Sequence, residues 1–232
     1  MVGERCSGTN LARVLIKKHL PIQYSGWQNY GWKHGFPQKV GYAKNTLLIV
    51  LFREPIAWIS SLYRKPWHAT FKVQDRSFSE FIREPWETIV FPATQLGLPK
   101  DHPIEGHPLQ YDRHPLTGKL FETPIDLRNI KNESFLGFRN RSVNVAFVKM
   151  ETLISDPKLF LSCLAIAFDL PLPKKVQLPK KTLGQKKRLV PLVAPPPKEI
   201  ELADLNFIRS RLNSEIETEL GYFRQNVGAI SL

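Results

Sequence analysis

Residues 3–10 read Gly-Glu-Arg-Cys-Ser-Gly-Thr-Asn, with two glycines spaced as in a phosphate-binding loop. Glycine tolerates backbone conformations that turn successive N–H groups toward one point. A helix starting just after them adds unpaired donors of its own. Such a loop suits one phosphate or sulfate group. Loops that serve ATP or GTP, Gly-x-x-x-x-Gly-Lys-Ser/Thr, need a lysine after the second glycine to reach the outer phosphates. Thr9 stands in that place, so a nucleoside triphosphate is poorly served. Glu4 is expected to face away, because a carboxylate repels an anionic ligand.

A second constellation is Arg53-Glu54-Pro55 and, eight residues after the arginine, Ser61. It follows an unbroken apolar run, residues 45–52. An arginine at the C-terminal end of a buried strand and a hydroxyl two turns into the next helix converge on one anion. The crevice beyond the strand ends is also where open α/β sheets take their ligands. Alone, Arg53 reads equally as a surface ion-pair partner and Ser61 as a solvent-facing helix residue. The pair at this spacing is harder to read that way.

Together the two motifs resemble those of the sulfotransferases that use 3′-phosphoadenosine 5′-phosphosulfate. The resemblance implies that the first loop holds the 5′-phosphosulfate through Arg5, Cys6, Ser7, Gly8, Thr9 and Asn10. It implies that Arg53 and Ser61 hold the 3′-phosphate. Many members carry a lysine just before their Ser-Gly-Thr, where this chain has Cys6. Arg5, which stays charged and contacts two oxygens at once, is the expected substitute. The segment Trp32-Lys33-His34-Gly35-Phe36-Pro37 lies where cytosolic sulfotransferases carry their base. The resemblance thus makes His34 the general base and Lys33 a charge stabiliser, with His68 as second candidate base. An unperturbed histidine titrates near neutrality, which suits that task. The late basic run Lys186, Lys187 and Arg188 is similar to a loop that reaches the 3′-phosphate in many members, but it reads better as a solvated linker.

The implied reaction moves a sulfuryl group from the nucleotide, as co-substrate, to a hydroxyl or amine of a small-molecule or glycan acceptor, in the cytoplasm. No metal is expected, since His102, His107 and His114 stand without ligand spacing.

These residues require a scaffold. Residues 11–19 carry Leu11, Val14 and Leu15 on one stripe and end in Lys17 and Lys18, which predicts a helix stopped by Pro21. Residues 45–52 and 143–149 predict strands. Residues 56–63, 77–83, 125–139, 151–154 and 157–168 predict helices, and residues 27–36 a short strand and a loop. Residues 92–124, crowded with Pro, Gly and His, predict a long loop that covers the acceptor side. Residues 171–197 form a Pro- and Lys-rich crossing. Residues 199–220 predict one amphipathic helix through Leu202, Leu205, Ile208, Leu212 and Ile216.

Strands alternating with helices predict a three-layer α/β fold, a mostly parallel sheet flanked by helices. The resemblance adds a P-loop NTPase-like topology. Met1-Val2 is short for a first strand, which is a stub or a truncated one. Residues 1–232 are expected to form one domain.

Net charge is +12, with 33 Lys and Arg against 21 Asp and Glu. That surplus suits an anionic ligand. The basic residues are scattered and no nucleic-acid-reading motif appears, so no nucleic-acid partner is expected. No apolar run approaches the roughly 18–20 residues that span a bilayer, so no membrane partner is expected either. Cys6 and Cys163 show no redox or metal spacing and predict free thiols. Two competing readings are a P-loop small-molecule kinase and a non-catalytic nucleotide- or nucleic-acid-binding protein. The missing loop lysine weighs against the first, and the scattered charge against the second.

Overall fold

The computed structural model describes residues 1–25, 31–38, 41–141, 144–180, 183, 191, 193–195 and 197–223. Among them, three strands form one parallel sheet in the order β1 (Val2–Gly3), β2 (Leu48–Phe52), β3 (Val145–Lys149). Val2 pairs with Val50 and Gly3 with Leu51, while Leu48 to Phe52 run in register with Val145 to Lys149. All five residues of β2 are buried. Its unbroken apolar run has that cause, because helices cover both faces and neither face has to be polar.

The two faces separate cleanly. Ile49 and Leu51 pack with Ala12, Leu15 and Ile16 of α1 (Thr9–His19), Leu153 of α6 (Met150–Ser155) and Leu161 and Leu164 of α7 (Pro157–Ala167). Leu48, Val50 and Phe52 pack with Phe135 of α5 (Pro124–Leu136) and with Ile216 of α9 (Ser214–Glu219). Alternate residues of a strand face opposite sides, so one run of five serves both layers. The α/β class with a helix-flanked parallel sheet is therefore as expected.

Beyond the sheet, α2 (Pro55–Arg64) begins where β2 ends. The Glu54 carboxylate caps it, accepting from Ile56 N at 3.0 Å and Ala57 N at 2.6 Å. Its Trp58, Ile59, Leu62 and Tyr63 enter a third core with Phe78 and Phe81 of α4 (Phe78–Phe81), Trp86, Phe121 and Leu127. Two short helices lie beside it. These are α3 (Phe71–Gln74) and α4, the latter held by a capping box between Ser77 and Glu80.

Two expectations need correction. Residues 199–220 are two helices, α8 (Leu202–Arg211) and α9, with an extended residue, Leu212, between them. Asn213 causes the break, its side-chain oxygen accepting from Glu215 N and Ile216 N, both at 3.1 Å. A buried pair, Arg128 to Glu217 at 2.8 and 2.9 Å, then fastens α9 to α5. The segment 92–124 is also more than a covering loop. It holds two 3-10 turns, Ala93–Leu96 and Gln110–Asp112, and buries Asp112 and Phe121. The strand expected within residues 27–36 falls partly outside the described residues, and the described part, from Gly31, is not a strand. Among the described residues no helix is long and apolar enough to cross a membrane.

Candidate functional site

The loop after β1 is shaped by its two glycines. A Cβ at Gly3 would lie 2.6 Å from Leu51 O and 2.6 Å from Ser7 Oγ, so no side chain fits. Gly8 has φ 94°, and a Cβ there would also meet Met150 Cγ at 3.0 Å. Cys6 takes a left-handed φ of 65° without being glycine. Ser7 N donates to Glu4 O at 3.1 Å and closes the turn. α1 begins immediately after Gly8, which offers no side-chain cap, and its first turn carries no acidic residue. Its first N–H groups and the positive end of its dipole thus face outward for an anion.

These donors open into a cavity of about 470 Å³. Cys6, Gly8, Thr9 and Asn10 line it together with Arg53 and Ser61. Lys33 and His34 reach the same space, so the two motifs and the intervening segment meet at the C-terminal ends of the strands. Lys65 and Lys180 add two more cations, and no carboxylate lines the cavity among the described residues.

Each residue is held by identifiable contacts. Arg53 Nη1 donates to Cys6 O at 3.0 Å, tying the start of α2 to the loop. The Ser61 hydroxyl hydrogen-bonds the Cys6 thiol, whose pKa burial pushes up, so Cys6 brings no negative charge into the cavity. Lys33 Nζ donates to Asn10 Oδ1 at 2.8 Å. Burial, then the neighbouring Arg13, lower the Lys33 ammonium to about 8. An anion beside Lys33 would reverse that shift.

The Lys33-His34 segment docks on the free edge of β1. Gly3 N donates to Lys33 O at 3.0 Å, and His34 Nδ1 lies 2.7 Å from Gly3 O. A carbonyl only accepts, so Nδ1 carries the proton and Nε2 keeps its lone pair. Burial, then Lys33, hold the imidazole pKa well below the usual 6.5. The expectation of a base titrating near neutrality is corrected accordingly. His34 is neutral throughout the neutral range.

Two loop residues take other roles than expected. Ser7 is buried, and its Oγ lies under Gly3 with no hydrogen-bond partner, so its side chain does not line the cavity. Arg5 borders the cavity, yet its guanidinium is engaged internally. Nη1 lies 3.1 Å from Glu4 Oε1 and Nη2 lies 2.7 Å from Asp112 Oδ2. It also stacks on Trp32, with Cζ 4.7 Å from the ring centroid. Arg5 is therefore not a free cation in place of the missing lysine.

Asp112 and Lys131 complete that cluster, and sequence reasoning missed both. Lys131 Nζ is 2.6 Å from Glu4 Oε2 and 2.5 Å from Asp112 Oδ1, and none of the four side chains is more than 2 % exposed. Lys131 also donates to His34 O at 2.7 Å, so the cluster braces the Lys33-His34 segment. Glu4 faces away from the cavity, as expected. Lys131 had one visible signal, since it shares a helix face with Arg128 and Phe135, all three buried. Asp112 had none, lying in an aperiodic stretch.

A second cavity of about 340 Å³ adjoins the first, and Lys33 and Trp67 line both. His68 lines only the second. Lys186, Lys187 and Arg188 lie outside the described residues. The chain matches no family model, no curated protein and no solved structure.

Proposed function

We propose that the chain transfers a sulfuryl group from 3′-phosphoadenosine 5′-phosphosulfate to a hydroxyl or amine acceptor. One observation carries the reading. A single cavity gathers a glycine loop, a helix N-terminus, Arg53, Ser61, Lys33 and His34, with several cations and no lining carboxylate among the described residues. Such a cavity favours a ligand with two separated anionic groups. The finer reading of the fold, a P-loop-like sheet, belongs with this proposal, as does a cytoplasmic setting.

In this reading the loop N–H groups and the start of α1 hold the 5′-phosphosulfate, while Arg53 and Ser61 hold the 3′-phosphate. The acceptor oxygen forms a bond to sulfur as the bond from sulfur to the bridging phosphate oxygen breaks. The electron pair stays on that oxygen, where Lys33 neutralises the growing charge. The acceptor proton passes to His34 Nε2. The products are the sulfated acceptor and adenosine 3′,5′-bisphosphate. Arg5 sets the loop's shape and touches no reacting atom.

Calorimetric titration without Mg²⁺ tests the reading. Adenosine 3′,5′-bisphosphate is expected to bind and ATP to bind far more weakly, because no lysine follows Gly8. Equal affinity for both would favour the kinase reading instead.

A further inference from the structure

We infer that the outer face of α7, with the segment 168–180 that follows it, is a docking surface for a bilayer carrying anionic lipid. The contact is peripheral and stands apart from the sulfuryl-transfer reading.

α7 is apolar on both sides. Phe160, Leu161, Leu164 and Ala165 are buried in the core beneath it. Leu159, Cys163 and Ile166 stand at i, i+4 and i+7, so they share the opposite stripe. Leu159 is 53 % and Ile166 73 % exposed, and Cys163 is exposed as well. A surface helix normally turns a polar face to water, and one that is apolar all round needs cover on both sides.

The next segment repeats the pattern. Leu170 N donates to Ala165 O at 2.8 Å and folds the chain back onto the end of α7. Phe168, Leu170 and Val176 pack against the same core as Leu161 and Leu164. Helix and segment thus cover one face of the sheet, and their outer sides look the same way. Leu172, 61 % exposed, stands on that outer side with Lys174 and Lys175. Twelve large apolar side chains are exposed among the described residues, and five of them, Ile154, Leu159, Ile166, Leu172 and Leu178, fall within residues 154–178. Scattered apolar exposure is ordinary, but a concentration of it marks a contact surface.

Charge selects the partner. Lys158, Lys174, Lys175 and Lys180 are exposed and form no ion pair among the described residues. Lys17 and Lys18 at the end of α1 are exposed too, and Lys17 lines one cavity with Phe168 and Leu170. Within residues 154–180 the acids are Asp169 and Asp156, and Asp156 caps α7 by accepting from Leu159 N at 2.8 Å. A second copy of the chain would set these lysines against themselves, because a two-fold contact joins a patch to itself. A leaflet with anionic headgroups balances them and takes the protruding leucine and isoleucine side chains into its acyl boundary. The sequence predicts no membrane partner because no run spans a bilayer, and a peripheral contact needs no such run.

Co-sedimentation of the full chain with vesicles tests the inference. Mixed phosphatidylcholine–phosphatidylserine vesicles should bind it about tenfold or more tighter than phosphatidylcholine vesicles, and raised salt should weaken the binding. Lys174→Gln with Lys175→Gln should weaken it by about tenfold or more. Ile166→Ser with Leu172→Ser should do the same while thermal unfolding stays unchanged. Cys163 reports insertion without any substitution. It is exposed, whereas burial raises the Cys6 thiol, so a thiol-reactive, polarity-sensitive fluorophore labels Cys163 first. Its emission should shift to the blue on the anionic vesicles. If the chain does not sediment with those vesicles at low salt, the inference falls. It also falls if the chain sediments but the fluorophore's emission does not move, or if the Ile166 and Leu172 variant binds as the wild type does. If sedimentation velocity without lipid shows a dimer that this variant dissociates, the face belongs to a second copy and the inference is overturned.

Discussion

Two sets of charges lie within one corner of the molecule, and they are treated in opposite ways. In the buried cluster, Arg5 and Lys131 meet Glu4 and Asp112 one for one, all of them sealed from solvent. In the adjacent cavity, Lys33, Arg53, Lys65 and Lys180 face a common space with no lining carboxylate among the described residues. The first set is balanced from within. The second is not balanced by any described residue that lines its space. A cation's partners, more than its presence in a motif, decide whether it serves the fold or a ligand. Arg5 shows this best, since it stands in the loop yet answers to the cluster.

The largest expected effect falls on chemistry. His34→Ala should lower turnover on a hydroxyl acceptor by roughly 10²- to 10⁴-fold, the usual worth of a positioned general base. Nucleotide affinity, read by calorimetry, should hold. Since the neutral imidazole is the active form and its pKa lies well below 6.5, wild-type turnover should stay flat on acidification from neutrality and fall only well under pH 6.5. An acid limb centred near neutrality would assign the base to another group, with His68 the next to test.

The balanced cluster should break next. Asp112→Ala leaves Arg5 and Lys131 each short of a partner in a sealed site. The cost should be about 3–5 kcal/mol of stability, the usual result of stripping one member from a buried ion pair. Urea unfolding measures it. Burial alone would raise the Asp112 carboxyl, but Arg5 and Lys131 overcome it and hold it far below the ordinary range. Asp112 therefore stabilises the fold above its unfolded pKa, and that contribution fades as pH drops below about 4. A cost near zero would mean the cluster is ornamental to folding.

A smaller effect is expected at the open set. Arg53→Ala should weaken adenosine 3′,5′-bisphosphate by about 1.5–3 kcal/mol, typical of a hydrogen bond to a charged group. The loss should shrink for adenosine 5′-monophosphate. Equal losses would remove Arg53 from the 3′-phosphate. The smallest effect is a pH dependence. Free Lys33 titrates near 8, and a bound anion raises that value. Affinity should be level below pH 8 and decline above it, by no more than tenfold per pH unit. Lys33→Met should flatten the decline.

Much of this was legible in the sequence. β2 announces itself because a strand covered on both faces must be apolar throughout, and Leu48 to Phe52 are. Arg53 and Ser61 are legible together because a strand end and a helix pitch fix their separation. The break before α9 left a signal too, since Asn213 is a good cap and stands directly before Ser214. The fate of Arg5 left none. It depends on Asp112, which the chain brings back through a proline-rich excursion with no period to read. Loop residues such as Ser7 and Arg5 look alike in one dimension. Only packing turns one inward under Gly3 and the other onto Asp112.

The most direct test of the contrast between the two sets is one calorimetric comparison on the wild-type chain, without Mg²⁺. Adenosine 3′,5′-bisphosphate and adenosine 5′-monophosphate differ only in the group that Arg53 and Ser61 would hold. The bisphosphate should bind at least about tenfold tighter, the worth of one charge-assisted contact of ~1.4 kcal/mol, and its advantage should narrow as salt is raised. Equal affinity for the two, or no binding of either, would contradict the reading of this cavity as a site for two anionic groups.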